Sequence, residues 1–99
     1  MSSIGYHEPV GELSSEARDM HRALVSLQEE LEAIDYYNQR VAVCSDDRLR
    51  AILEHNRDEE KEHAAMLLEW IRNQDPVFAS EIKDRLLASE PSEPRAPAR

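Results

Sequence analysis

Cysteine and glycine are scarce in this chain. Its 99 residues contain a single cysteine, Cys44, and two glycines. A lone cysteine forms neither an internal disulfide nor a multi-cysteine zinc site, which favours a reducing, cytoplasmic setting. The shortage of glycine, together with the abundance of Leu, Ala, Glu and Arg, argues against strands and tight turns. It predicts an all-α protein built from long helices.

Long apolar runs and positive charge are missing as well. The chain has no stretch of about eighteen apolar residues that could span a bilayer, and residues 1–11 lack the basic start and apolar core of a secretory signal. Asp and Glu number 21 against 12 Lys and Arg, for a formal net charge of −9. This charge repels phosphates and anionic lipids, so we expect no nucleic-acid or membrane partner and favour a cationic substrate.

Periodicity and proline divide the chain into three parts. Residues 1–13 show no hydrophobic period, so we expect an irregular N-terminal arm. Residues 14–88 carry helical periodicity and form the expected folded domain. The tail at 89–99 is rich in proline and poor in apolar residues, which predicts disorder.

The first long helix carries two apolar stripes. It should begin near Ser14 or Ser15, either of which can cap free amides, and continue toward Cys44. One stripe contains Leu13, Ala17, Met20, Leu24, Leu27, Leu31, Ile34 and Val41. The other contains Ala23, Leu27, Glu30, Ile34, Tyr37, Val41 and Cys44. Together the two stripes are too broad to be covered by one neighbouring helix.

A short connection leads into a second helix. Residues 45–47 form this connection, and Ser45 is expected to cap the helix that follows. A connection of this length predicts an antiparallel hairpin. The second helix should end near Asn73, and Asp75 followed by Pro76 should open a short third helix. One face of the second helix, called its seam here, contains Leu49, Leu53, Asn56, Glu60, His63, Leu67 and Trp70.

A Glu-x-x-His pair lies in that seam. Glu60 and His63 are three positions apart, so their side chains reach one small volume on the same helix face. A carboxylate at a seam position is costly unless it is paired, and Glu30 repeats the problem in the second stripe of the first helix. A bound cation would neutralise the carboxylates of both Glu30 and Glu60. Oxygen and imidazole ligands suit iron, while Mn, Zn, Cu or Ca remain alternatives.

Glu30 and Glu60 lie level with one another in the expected hairpin. Each is about fifteen residues from the connection, and an antiparallel pair with a rise of about 1.5 Å per residue brings them to the same layer. A di-iron carboxylate bundle uses one Glu from each of two helices and Glu-x-x-His from each of the other two. One hairpin supplies half of this set, so a homodimer that forms a four-helix bundle would complete the site.

Other roles for these residues stay open. The Glu-x-x-His pair could be a hydrogen-bonded group that fixes helix register, with Glu30 bonded to Tyr37 or to an arginine. Tyr37 could donate its hydroxyl to a metal ligand, supply an electron, or simply pack in the core. Glu29 and Glu32 belong to an acidic patch that could collect cations or could be solvated surface.

Three stretches of the sequence form a specific combined motif. They read EELEAIDYY at 29–37, HNRDEEKEHAAM at 55–66 and LEWI at 68–71, and they closely resemble the encapsulated ferritin family. The likeness covers roughly residues 14–87. It implies a ferritin-like fold related to the rubrerythrins: an antiparallel two-helix hairpin with a short C-terminal helix, dimerising into a four-helix bundle.

The resemblance also implies an activity and partners. Family members are ferroxidases that oxidise Fe(II) to Fe(III) at a di-iron site between two chains. Their dimers close into a ring housed in a cytoplasmic encapsulin nanocompartment, where the shell stores the iron. Tyr37 matches a tyrosine beside the site, and Glu29 and Glu32 match acidic residues that meet the metal where it enters. The matching iron ligands are Glu30, Glu60 and His63.

Two rival functions remain. A rubrerythrin-like peroxidase shares the ligand types, but it normally needs a full bundle in one chain and often a rubredoxin-like cysteine site. A non-catalytic helical adaptor would dimerise through the apolar stripes and use metal only structurally. Oxidation kinetics that depend on metal would separate the adaptor from an enzyme.

The tail departs from the family pattern. Family members usually carry a C-terminal targeting peptide with small and apolar residues. Here residues 91–99 contain no apolar residue larger than Ala or Pro. Either the chain is shortened or it docks on a shell in another way.

Overall fold

The protein is all-α over the described part of the chain. The computed structural model describes residues 5–88. This part contains a short 3-10 turn at Val10–Glu12 and three α-helices, with no strand. The helices are α1 (Ser15–Val43), α2 (Asp47–Gln74) and α3 (Pro76–Arg85). The predicted all-α class is confirmed, while the disorder predicted for 89–99 lies outside the described residues.

Helix α1 begins where its capping signal predicts. The hydroxyl oxygen of Ser14 accepts a hydrogen bond from the N–H of Ala17 at 3.0 Å, which satisfies one of the free amides of the first turn. No proline or glycine interrupts the helix before it ends at Val43. Its length follows from that uninterrupted run.

The capping residue of α2 was predicted wrongly. Asp46, not Ser45, is the N-cap: its Oδ1 accepts from the N–H of Leu49 at 2.8 Å. The helix begins at Asp47, so Ser45 stands one position too early for its oxygen to reach the free amides. The N-cap of α3 is as predicted, since Oδ1 of Asp75 accepts from the N–H of Phe78 at 3.0 Å.

The two long helices pack through the second stripe of α1. Every member of that stripe is buried or half-buried, whereas Leu24 and Leu31 of the first stripe remain 45% and 54% exposed. The buried residues of α2 are Ala64 and Ile71. Alanine at 23 and 64 leaves little side-chain bulk between the helices, which allows their backbones to lie close together.

The hairpin leaves a large apolar surface uncovered. Helix α3 packs on α2 through the buried Ile82, but Ile71 is the one fully buried large side chain among residues 5–88. Exposed large apolar residues include Leu49, Ile52, Met66, Trp70, Val77, Leu86 and Leu87. So little burial makes a single hairpin a poor candidate for independent stability. Within the same residues, no helix combines the length and apolar character needed to cross a bilayer.

Candidate metal centre

One group of potential metal ligands converges within residues 5–88. Glu30 from α1 meets Glu60 and His63 from α2, and one ligand atom from each lies within 4.8 Å of the others. Nδ1 of His63 is 2.9 Å from Oε1 of Glu60 and 3.6 Å from Oε1 of Glu30. The structure therefore brings together the three residues that the sequence places in one layer.

The geometry of the hairpin accounts for this convergence. The spacing of three on α2 aligns Glu60 with His63 one turn further along. Glu30 belongs to the stripe of α1 that faces α2. The short antiparallel connection at 44–46 then fixes which layer of α1 meets which layer of α2.

Burial at the cluster calls for a positive partner. The side chains of Glu30 and Glu60 are each 24% exposed, and that of His63 is 46% exposed. Oε1 of Glu30 is fully buried, yet it has no hydrogen-bond partner in the described part of the chain. Leaving a buried acceptor unsatisfied costs about 1–3 kcal/mol, and more for a charged group. A bound cation would satisfy it.

The spacing of the ligand atoms also suits a metal. Oxygen and nitrogen ligands lie about 2.0–2.2 Å from a first-row divalent ion, so neighbouring ligand atoms on one ion are about 3–4 Å apart. The distances of 2.9 and 3.6 Å around Nδ1 of His63 match this spacing. The residues present thus fit iron, although they do not select it over other divalent metals.

The cluster opens toward an apolar face of the hairpin. His63, which is exposed, shares its side of α2 with Met66 and Trp70, one and two turns further on. Ile52 lies on the same side toward the connection and is also exposed. Three ligands are too few for two metal ions, and the open side is where further ligands could come from a second chain.

The other predicted site residues lie outside the cluster. Tyr37 is half-buried and packs beneath Arg40, whose guanidinium carbon is 5.2 Å from the ring centroid. Glu29 and Glu32 are exposed and line a shallow cleft on the outer side of α1. Glu29 and Glu32 are one and two positions from Glu30, and residues at these spacings do not share a helix face. Neither carboxylate therefore points at the ligands of its own chain. The roles predicted for these three residues remain predictions.

Sequence reasoning missed a polar link beside the site. Nη1 of Arg57 donates to Oδ1 of Asn38 at 3.3 Å, which joins α2 to α1. The same guanidinium donates through Nε to Asp58 at 3.1 Å, and Lys61 lies 3.3 Å from that carboxylate. These hydrogen bonds from Arg57 and Lys61 lower the pKa of Asp58. The signal in the sequence was Asn38 itself, a polar residue that breaks the apolar spacing of α1.

The N-terminal arm makes a contact with α1 that the sequence did not indicate. The rings of Tyr6 and His21 stack with centroids 4.0 Å apart and an interplanar angle of 27°. Gly5 has a φ of +80°, a left-handed conformation that glycine adopts without strain. The arm therefore folds back against α1 rather than extending into solvent, although no periodicity in residues 1–13 indicates this.

An all-α hairpin with carboxylate and histidine side chains clustered on facing helices is the arrangement found in ferritin-like proteins. The chain belongs to the EncFtn-like family, whose profile matches residues 5–89. This match confirms the resemblance to encapsulated ferritins that the motifs indicate.

Individual relatives agree with this membership. The chain is 54% identical over 86 residues to a ferritin-like protein of Thermotoga maritima, covering 87% of this chain and 75% of that protein. It is 52% identical over 90 residues to an encapsulated ferritin-like protein of Rhodospirillum rubrum, covering 91% of this chain but 64% of that protein. A crystal structure of a protein from Nitrosomonas europaea is similar with a TM-score of 0.83 and 68% identity, over 88% of this chain and 96% of that one.

Proposed function

We propose that this protein is a ferroxidase that oxidises Fe(II) to Fe(III) at a di-iron site shared by two copies of the chain. The observation that carries the proposal is that Oε1 of Glu30 is buried without a hydrogen bond beside Glu60 and His63. A hydrogen-bonded structural cluster has no reason to leave that oxygen unsatisfied. A cation does supply a reason.

The apolar surface around the cluster supports a shared site. Glu30, Glu60 and His63 from two chains would provide the two Glu and two Glu-x-x-His elements of a di-iron bundle. A two-fold axis through the open face would bring Met66 and Trp70 against the partner, which would bury surface that one hairpin exposes. Association and completion of the metal site would then be the same event.

Each proposed ligand has a definite role. The carboxylates of Glu30 and Glu60 neutralise positive charge and can bridge two ions, and the imidazole of His63 adds a neutral ligand. Iron enters as substrate: each Fe(II) gives up one electron to an oxidant such as dissolved oxygen and leaves as Fe(III). Tyr37 is a candidate to adjust a ligand or lend an electron. Glu29 and Glu32 are candidates to gather cations before they reach the site.

A place inside an encapsulin shell is part of the proposal. The relative from Rhodospirillum rubrum is named as encapsulated. We infer the same cytoplasmic compartment for this chain, with dimers joined in a ring and the shell storing the ferric product. Electron microscopy of particles purified after co-expression with an encapsulin shell protein tests this. Exclusion of the chain from assembled shells would contradict it.

A structural role for the cluster is favoured by one contact. Nδ1 of His63 and Oε1 of Glu60 lie 2.9 Å apart, a normal hydrogen bond that could fix helix register in a non-catalytic adaptor. That reading explains Glu60 and His63 but not Glu30, whose Oε1 is 3.6 Å from the imidazole and lacks a hydrogen bond. The ferroxidase reading explains all three.

Stopped-flow oxidation of Fe(II) by dissolved oxygen tests the function. Glu30→Gln keeps the shape of the side chain and removes its charge, so we expect loss of activity and of tight metal binding. Glu69→Gln makes the same change on an exposed part of α2 and should leave activity unchanged. Full activity in Glu30→Gln would contradict the proposal. Oxidation with hydrogen peroxide but not with oxygen would favour the peroxidase instead.

A further inference from the structure

A second polar link joins α1 to α2 outside the cluster of Glu30, Glu60 and His63. It is the hydrogen bond from Arg57 to Asn38, 3.3 Å long. Arg57 lies one turn before Glu60 on α2, and its side chain is 21% exposed. Asn38 lies two turns after Glu30 on α1. The link therefore lies near the proposed ligands, but neither Asn38 nor Arg57 is itself a ligand.

Neighbouring charges hold Arg57 in place. Asp58 accepts a hydrogen bond from Nε of Arg57, and Lys61 pairs with the same carboxylate. The Asp58 carboxylate therefore lies between two cations, and its negative charge orients Arg57. With Nε engaged by its own helix, the fork of the guanidinium points Nη1 across to α1.

The remaining contact between the helices specifies their rotation only weakly. Ala23 and Ala64 are small, and Ile71 is the one fully buried large side chain among residues 5–88. The hydrophobic effect is non-directional, so apolar burial by itself does not fix the rotation of one helix on another. A shared metal site tolerates displacements of only about 0.5 Å in its ligands. Without metal, two facing carboxylates also repel each other.

We propose that Asn38 and Arg57 are a positioning pair that sets the rotation and register of α1 against α2, so that Glu30 faces Glu60 and His63. The consequence for iron oxidation rests on the proposed function. The consequence for metal binding does not rest on oxidation, because Co(II), which binds the same ligand types, measures affinity by itself.

Four substitutions separate the pair from general packing. Asn38→Leu removes the acceptor, and Asn38→Asp replaces it with another oxygen that Arg57 can bond. Gln39→Leu and Gln39→Glu are matched changes at the next position, where the amide bonds Asp35 of its own helix at 3.0 Å. Each variant is melted in chelator, titrated with Co(II) by absorbance, and assayed at saturating Fe(II).

The pair has a distinctive expected pattern. Asn38→Leu should bind Co(II) roughly tenfold more weakly, as outer-shell losses do, and oxidise saturating Fe(II) more slowly while melting close to the parent. Asn38→Asp should restore both properties to within about twofold of the parent, since a carboxylate accepts from Arg57 as well as an amide does. Both Gln39 variants should match the parent.

Two results would overturn the proposal. One is parental Co(II) affinity in Asn38→Leu, and the other is equal weakening in Asn38→Leu and Gln39→Leu. If Asn38→Leu does not fold, Arg57→Lys is the deciding variant. It keeps the charge but loses the rigid guanidinium fork whose Nε and Nη1 reach Asp58 and Asn38, so it should bind Co(II) more weakly. Parental affinity in Arg57→Lys would contradict the proposal. The parent protein could bind Co(II) but fail to oxidise Fe(II), while Asn38→Leu binds Co(II) more weakly. This result would contradict the ferroxidase function and support the positioning pair.

Discussion

Oε1 of Glu30 on α1 lies 3.6 Å from Nδ1 of His63 on α2, and this oxygen is buried without a hydrogen bond. The two residues meet because a short antiparallel connection brings their layers level. The charge and the lack of a partner together make the contact more consistent with a metal site than with a completed polar network.

Replacing the Glu-x-x-His pair by leucine should separate metal binding from structural support. Glu60→Leu with His63→Leu removes a carboxylate that is costly to bury and extends the apolar seam. In chelator the double variant should therefore melt at or above the temperature of the parent. Oxidation of Fe(II) should vanish. The shared site draws Glu60 and His63 from both chains, so the double variant loses most of its ligands. Thermal melts and an oxygen-dependent assay give both answers.

The matched control changes the same residue types elsewhere on α2. His55→Leu with Glu69→Leu alters two exposed residues of α2 outside the cluster and should leave oxidation intact. A lower melting temperature in the Glu60 and His63 variant would favour a structural hydrogen-bonded network. Retained oxidation in that variant would contradict the assigned site.

Metal should promote association of the chains. A site that exists only in the assembled protein stabilises the assembly by mass action, so Fe(II) under nitrogen should shift monomer toward dimer and larger species. Native mass spectrometry at a concentration where monomer is present measures the shift. The Glu60 and His63 double variant is the control and should not respond. An identical distribution with and without metal in the parent would count against a shared site.

The exposed acids on α1 should affect the rate of uptake rather than the site itself. Glu29→Ala and Glu32→Ala remove negative charge from the outer cleft, so iron oxidation at limiting Fe(II) should slow, and the difference from the parent should shrink at high ionic strength. Bound metal per chain at saturation should not change. Loss of bound metal in either variant would show that these residues are ligands. Glu16→Ala, at the start of α1, is the control for a general loss of charge.

Much of the fold and the ligand layer could be predicted because the signals are local. Ser14, Asp75 and Pro76 are capping residues whose effect is decided within one turn, and the spacing of Glu60 and His63 follows from helix geometry alone. The side of each helix that faces the other could not be decided this way. Two apolar stripes on α1 are equally periodic, and only the structure shows that the stripe containing Ala23 is the buried one.

Longer-range polar contacts could not be predicted from the sequence for a related reason. The bond between Asn38 and Arg57 requires the rotation of both helices to be known before the partners can be matched. The stack of Tyr6 on His21 requires the N-terminal arm to fold back on α1, which no hydrophobic period in the arm predicts. Both contacts depend on tertiary geometry rather than on spacing along one element.

The corrected N-cap of α2 gives a direct stability prediction. Asp46→Ala removes the acceptor for the N–H of Leu49 and should lower the free energy of unfolding by about 1 kcal/mol. Ser45→Ala, one residue earlier, should change it by less than about 0.5 kcal/mol. Chemical denaturation of both variants in chelator measures the difference. A larger loss in Ser45→Ala than in Asp46→Ala would restore Ser45 as the cap.

The most direct test of the account is anomalous X-ray scattering at the iron edge from crystals grown with ferrous salt under nitrogen. The account predicts a pair of iron peaks related by a two-fold axis between two chains, with Glu30, Glu60 and His63 of both chains within bonding distance of the pair. Soaking with zinc and collecting at the zinc edge as well would show whether another metal takes the same place. Iron bound within a single chain, or no anomalous density beside Glu30, would contradict the shared di-iron site.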